Sequence, residues 1–111
     1  RRRSAVTEVS FIKYHDEYMF QCAGHTQYSQ GNDILCSAVS ALCLTLLNYL
    51  DGANLEGLIS NYYSDTRSGF VSAKFNVDDE NRIRVLEAVH AICGGFAMLE
   101  EGFPDYISAE V

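Results

Sequence analysis

The stretch EYMFQCAG (17–24), HTQYSQGND (25–33) and ILCSAVSALCLTLLNYLD (34–51) changes its hydrophobic period part-way along, and that change decides the fold. Over 17–24, Tyr18, Phe20 and Cys22 alternate with Met19, Gln21 and Ala23, the period of a strand with one face on a core. Over 34–51 the polar positions Ser37, Ser40, Asn48 and Asp51 recur at helical spacing on an otherwise apolar segment. Asp33 is placed to cap that helix, and Gly52 to end it. A helix this apolar needs cover on more than one side, from a sheet or from a second copy of the chain.

Before that stretch, residues 5–14 (AVTEVSFIKY) are β-branched and aromatic and read as a strand, joined to 17–24 by a turn at His15-Asp16. Residues 56–64 and 69–76 read as two more strands around Asp65–Gly69, although Leu55, Leu58 and Ile59 also fit a short helical turn. Asp78-Asp79-Glu80 sets acidic groups at the start of a second helix, where they suit its dipole. That helix runs to about Glu101 with Val85, Leu86, Val89, Ile92, Phe96 and Leu99 on one face. Gly94-Gly95 interrupts it at a cost of about 1 kcal/mol per glycine, a sign of close packing. Residues 106–111 form a last strand. The order ββαββαβ does not alternate strictly, which predicts an α+β two-layer sandwich: two helices on one mixed sheet, in a single domain over 1–111. Residues 1–4 are expected to lie outside the folded part.

The formal net charge is -7, and three of the eight basic residues are Arg1-Arg2-Arg3, so the rest is more acidic still. No basic patch suited to direct nucleic-acid contact follows Ser4, and a basic peptide or protein suits this charge better. The run from Ile34 to Leu50 falls short of the roughly 20 residues of a membrane span and carries a polar stripe, so no membrane partner is expected. Cys22, Cys36, Cys43 and Cys93 form no CxxC pair, and no apolar segment opens the chain; free thiols and a cytoplasmic location are the expectation. Cys22, Cys43 and Cys93 are expected in the core.

His25 leaves the strand end and Cys36 falls at the third position of the first helix. There the positive end of the dipole favours a thiolate, and free N–H groups could hold an oxyanion. His25 could serve as the base, with Asp33 orienting it or capping the helix. Gly24, Tyr28, Gly31 and Ser37 flank the pair as candidate substrate or loop residues. The competing reading is a buried, inert Cys36 beside a loop histidine. A zinc site from Cys22, His25, Cys36 and Cys43 is opposed by the two helical turns, about 10 Å, between the last two. No metal or cofactor is expected.

The stretch GHTQYSQGNDILCSAVSAL (24–42) resembles the signature of the ribosomal-processing cysteine protease family, often called Prp: Gly-His-Ala, a glycine-containing loop, then Asp-Ile-Val-Cys-Ala-Ala-Val-Ser. Phe103-Pro104-Asp105-Tyr106-Ile107 resembles its ending. Thr26 and Ser37 stand where the family usually has Ala. The resemblance implies a small cytoplasmic, generally dimeric protease with His25 and Cys36 as catalytic residues and Asp33 in support. Its implied partner is a ribosomal-protein precursor, from which a short N-terminal extension is removed after an aromatic-rich stretch. The alternative from another class is a non-catalytic, ribosome-associated binding module of the same fold.

Overall fold

The computed structural model describes residues 7–24 and 34–111 of the chain. Strands β1 (Thr7–Tyr14) and β2 (Glu17–Ala23) form the first hairpin, and helix α1 (Ile34–Leu55) follows. Strands β3 (Ser60–Arg67) and β4 (Phe70–Asn76) form the second hairpin, followed by α2 (Asp79–Gly102) and β5 (Ile107–Glu110). The sheet order is β3-β4-β2-β1-β5, antiparallel throughout except that β5 runs parallel to β1. The mixed sheet and the order ββαββαβ are those expected of the α+β sandwich.

Register puts the alternating apolar residues on one face. Val9 faces Cys22, Phe20 faces Ala73, Tyr18 faces Phe75 and Thr7 faces Ile107, and all are buried. Their neighbours Glu8, Ile12, Gln21 and Lys74 point away to solvent. Both helices bury a stripe against the apolar face: Leu35, Val39, Cys43, Leu46, Leu50 and Ala53 from α1, and Val85, Val89, Cys93 and Phe96 from α2. Phe20 meets Phe96 with ring centroids 5.6 Å apart, joining the central strand to α2. Phe11, Tyr18 and Phe75 stack across three strands, with centroids 5.5–6.4 Å apart. The helices touch each other where Gly95 passes Leu42; a Cβ there would sit 2.7 Å from the leucine Cδ2. Gly94 has open space instead, so only the second glycine carries the close approach.

Two boundaries and one inference from length differ from the sequence reading. First, α1 passes through Gly52 to Leu55 and is closed by Gly57, whose φ of +77° few other residues adopt. The Gly57 N–H donates to the Asn54 carbonyl (3.1 Å) and the Leu58 N–H to that of Ala53 (2.9 Å), the paired bonds of a Schellman closure. Second, the tight turn of the second hairpin is Ser68-Gly69 alone. Asp65, Thr66 and Arg67 are strand residues, paired with Ser72, Val71 and Phe70. Third, α1 spans 22 residues, long and apolar enough to cross a membrane by length and composition, so length does not argue against a span. Its packed stripe against the sheet shows it acting as a core helix here.

Candidate active site

Cys36 is the third residue of α1 and its side chain is exposed; Cys22, Cys43 and Cys93 are buried, and all four thiols are free. It lines a cleft of about 240 Å³ between α1 and the sheet. One wall is the first three turns of α1, where Cys36, Val39, Ser40, Cys43 and Leu44 follow one another at helical spacing. The floor is Cys22 of β2 with Val71 of β4. The far rim is the β3–β4 turn: Thr66, Arg67, Gly69 and Phe70.

Gly24 closes the strand side of the cleft. It holds φ +107°, and its N–H donates to the Gly69 carbonyl at 2.8 Å, tying the end of β2 to the hairpin turn. A side chain at Gly24 would be strained in that backbone conformation. The chain therefore leaves β2 beside the cleft and re-enters it as α1 with the thiol on the first turn. His25, Tyr28, Gly31 and Asp33 lie outside the described residues. Ser37 is exposed but does not line the cleft, whereas Ser40, one turn beyond Cys36, does.

The rim carries a cation. The Arg67 guanidinium sits over the Phe70 ring, 4.7 Å from its centroid, and pairs with Asp65 at 3.0 Å. The rest of the described lining is apolar or neutral, so the cleft suits uncharged side chains with polar backbone at the mouth. Burial pushes the Cys93 thiol up to about 11. The Cys43 thiol holds the pKa of Cys22 down against the effect of its burial. The Cys22 thiol, with burial, pushes Cys43 above the usual thiol range. Among the described residues no three His, Cys, Asp or Glu side chains gather closely enough to hold a metal ion.

The hairpin rim could not be found in the sequence. Thr66 to Val71 lie some thirty residues beyond Cys36, and Asp65-Thr66-Arg67-Ser68-Gly69 carries only the signal of a turn. Val39, Ser40, Cys43 and Leu44 could have been traced, because they share the helix face of Cys36.

A free, exposed thiol on a first helical turn lines an apolar cleft, and the model of the cysteine protease Prp family matches residues 6–108. The chain belongs to the cysteine protease Prp family. No curated protein matches it. Two solved structures share its fold across nearly the whole length. One is SMU.848 from Streptococcus mutans, 22% identical with a TM-score of 0.64, covering 96% of this chain and 96% of that one. The other is the essential ribosomal processing protease Prp from S. aureus in complex with a covalently linked product peptide. It is 16% identical with a TM-score of 0.66, covering 94% of this chain and 97% of that one. Membership of the Prp family makes this chain a cysteine protease, and the cleft beside Cys36 is its candidate substrate site.

Proposed function

We propose that this Prp-family protease removes a short N-terminal extension from a bacterial large-subunit ribosomal protein, with Cys36 as nucleophile and His25 as general base. The observation that carries the reading is the exposed thiol of Cys36 at the mouth of the apolar cleft. The extension lies extended across the first turn of α1 with an apolar side chain in the cleft. At about 240 Å³ the cleft is below the usual range of roughly 300–1,000 Å³ for small-molecule sites, and it suits one or two side chains of a peptide. Cys36 sulfur attacks the scissile carbonyl while His25 takes the thiol proton. N–H groups at the start of α1 stabilise the oxyanion. His25 then protonates the leaving amine, and water, deprotonated by His25, resolves the acyl-enzyme and frees Cys36. Asp33 supports His25 or the helix start.

Three further observations support this reading. The S. aureus relative is described as a ribosomal processing protease with a product peptide attached. The net charge of -7 suits a basic ribosomal-protein segment. Apolar Leu55 stands exposed on α1, outside the cleft, as fits a homodimer. The test is to mix wild type, Cys36→Ala and His25→Ala proteins with the ribosomal-protein precursor and read intact masses. A single N-terminal cut lost in both variants is expected. Full cleavage by either variant would refute the assignment of that residue; binding without a cut by the wild type would favour the non-catalytic module.

A further inference from the structure

The cleft beside Cys36 is open along one side. Strand β3 is an edge of the sheet, and among the described residues no strand pairs with its outer side. On the helix side of the sheet, Ser64 and Thr66 of β3 stand opposite Ala73 and Val71 of β4. Ala73 is buried and Val71 half-buried, yet Ser64 and Thr66 are exposed, so α1 stops short of the edge strand there. Across the gap, Ser40 is exposed and Leu44 is 63% exposed, and both line the cleft. Helix and strand meet again where the Tyr62 hydroxyl donates to Asp51 at 2.7 Å, roughly 22 Å beyond Cys36 along the axis of α1.

The backbone of this edge is uneven. Between Ser60 and Tyr63 the register with β4 slips and Asn61 has a φ of +51°, the kind of irregularity that keeps an edge from pairing. From Tyr63 to Arg67 the register is regular. The two-residue loop Ser68-Gly69 makes Arg67 and Phe70 the hydrogen-bonded pair that closes the hairpin. Alternation then directs Asp65 and Tyr63 to β4 as well, and turns the N–H and C=O groups of Thr66 and Ser64 outward. The regular half of the edge is the half that borders the cleft with Cys36, while the irregular half lies at its closed end.

We propose that the outer edge of β3 at Ser64 and Thr66 is a docking site for the substrate: the extended precursor chain adds to the sheet there as a sixth strand beside the cleft. Two features choose this occupant. The edge is continuous with the cleft that holds Cys36, and its outward groups are spaced backbone donors and acceptors, which another extended backbone satisfies in register. Pairing of this kind is indifferent to side chains, so selection falls on alternate residues. Those turned to the helix side meet Ser40 and Leu44 and should be small or apolar; those between them face away and tolerate charge. The inference rests on the function proposed above and gives it a substrate class, a chain held extended over several residues on one side of the cut.

The test reads kcat/KM for a synthetic precursor peptide carrying one N-methylated backbone amide at a time, outside the two residues that flank the cut. An added strand turns every second N–H toward β3. On one side of the cut the losses should therefore alternate, about tenfold or more at every second residue and less than about threefold between them. On the protein, Ser64→Pro deletes an outward N–H and no bond to β4, a change that an edge strand tolerates. It should lower kcat/KM about tenfold, whereas Ser64→Ala should keep it within about twofold, because the backbone and not the hydroxyl makes the bond. Far-UV circular dichroism checks that Ser64→Pro is folded; if it is not, the N-methyl series on wild type decides. Losses without alternation on either side of the cut, or a folded Ser64→Pro with the wild-type rate, would overturn the proposal. A wild-type rate together with loss of a dimer would assign the edge to a second copy of the chain, which also overturns it. Wild type that leaves the unmodified peptide uncut would instead refute the proposed function, and strand addition with it.

Discussion

Two adjacent glycines of α2 should respond in opposite directions to the same substitution. At Gly94 an added Cβ meets nothing within 4 Å, so Gly94→Ala should give only the helix-propensity gain, about 1 kcal/mol of added stability. At Gly95 the Cβ would lie 2.7 Å and 2.9 Å from the two Cδ atoms of Leu42 and 3.3 Å from its Cγ. Leu42 is half-buried in α1, so it can yield only by leaving its rotamer or by spreading the helices. Overpacking of this kind costs about 1–3 kcal/mol. Set against the same propensity gain, Gly95→Ala should come out about 1 kcal/mol less stable than wild type, leaving the two variants roughly 2 kcal/mol apart. Urea denaturation followed by far-UV circular dichroism measures the gap; thermal melts should separate them by about 8 °C or more. Combining Gly95→Ala with Leu42→Ala should recover part of the loss, since the clash is with that one side chain. If Gly95→Ala stabilises the protein as much as Gly94→Ala, the helices do not approach at Gly95.

Three other perturbations test the fold and the cleft. Phe20→Ala empties the centre of the sheet, where Phe20 is fully buried against Phe96; a loss of about 3–5 kcal/mol is expected, read as a collapse of the urea midpoint. Thr66→Trp fills the rim of the cleft from an exposed position, so kcat/KM for the precursor peptide should fall about tenfold with stability changed by less than about 0.5 kcal/mol. An unchanged kcat/KM would place the substrate elsewhere. The Tyr62 hydroxyl donates to Asp51 at 2.7 Å, and its pKa is pushed up to about 12, first by burial and then by that bond. A folded pKa above the unfolded value of 10.0 means that this contribution is complete below pH 10 and is lost as pH rises toward 12. Tyr62→Phe should therefore flatten that part of the stability–pH curve, and an unaltered alkaline limb would contradict the assignment.

Much of this architecture is legible in the chain because it rests on short-range periodicity. The β1–β2 hairpin and both helices sit within a few residues of where alternation and helical spacing put them, and the Prp motif is a local string ending in Cys36. The misread boundaries share a cause. Gly52 looks like a helix end, but α1 continues because Ala53 is buried in the core and Gly57 has the positive φ that closes the last turn. Asp65-Thr66-Arg67 has turn composition, but pairing with β4, the Arg67–Asp65 ion pair and the Arg67–Phe70 stack hold it extended. In both places tertiary partners outweigh local preference, as they commonly do for strands.

Which segments become strands and helices is written in the chain, since burying one face imposes a period of two or of 3.6 on neighbouring residues. It also placed a cysteine on the first turn of an apolar helix. What that cysteine faces follows from packing between elements. The cleft exists because the turn of the second hairpin folds up against the first turns of α1, with Gly24 bonded to Gly69 at its edge. The passage of Gly95 past Leu42 arises in the same way. Each depends on the distance between two packed elements, and no pattern within either element specifies that distance.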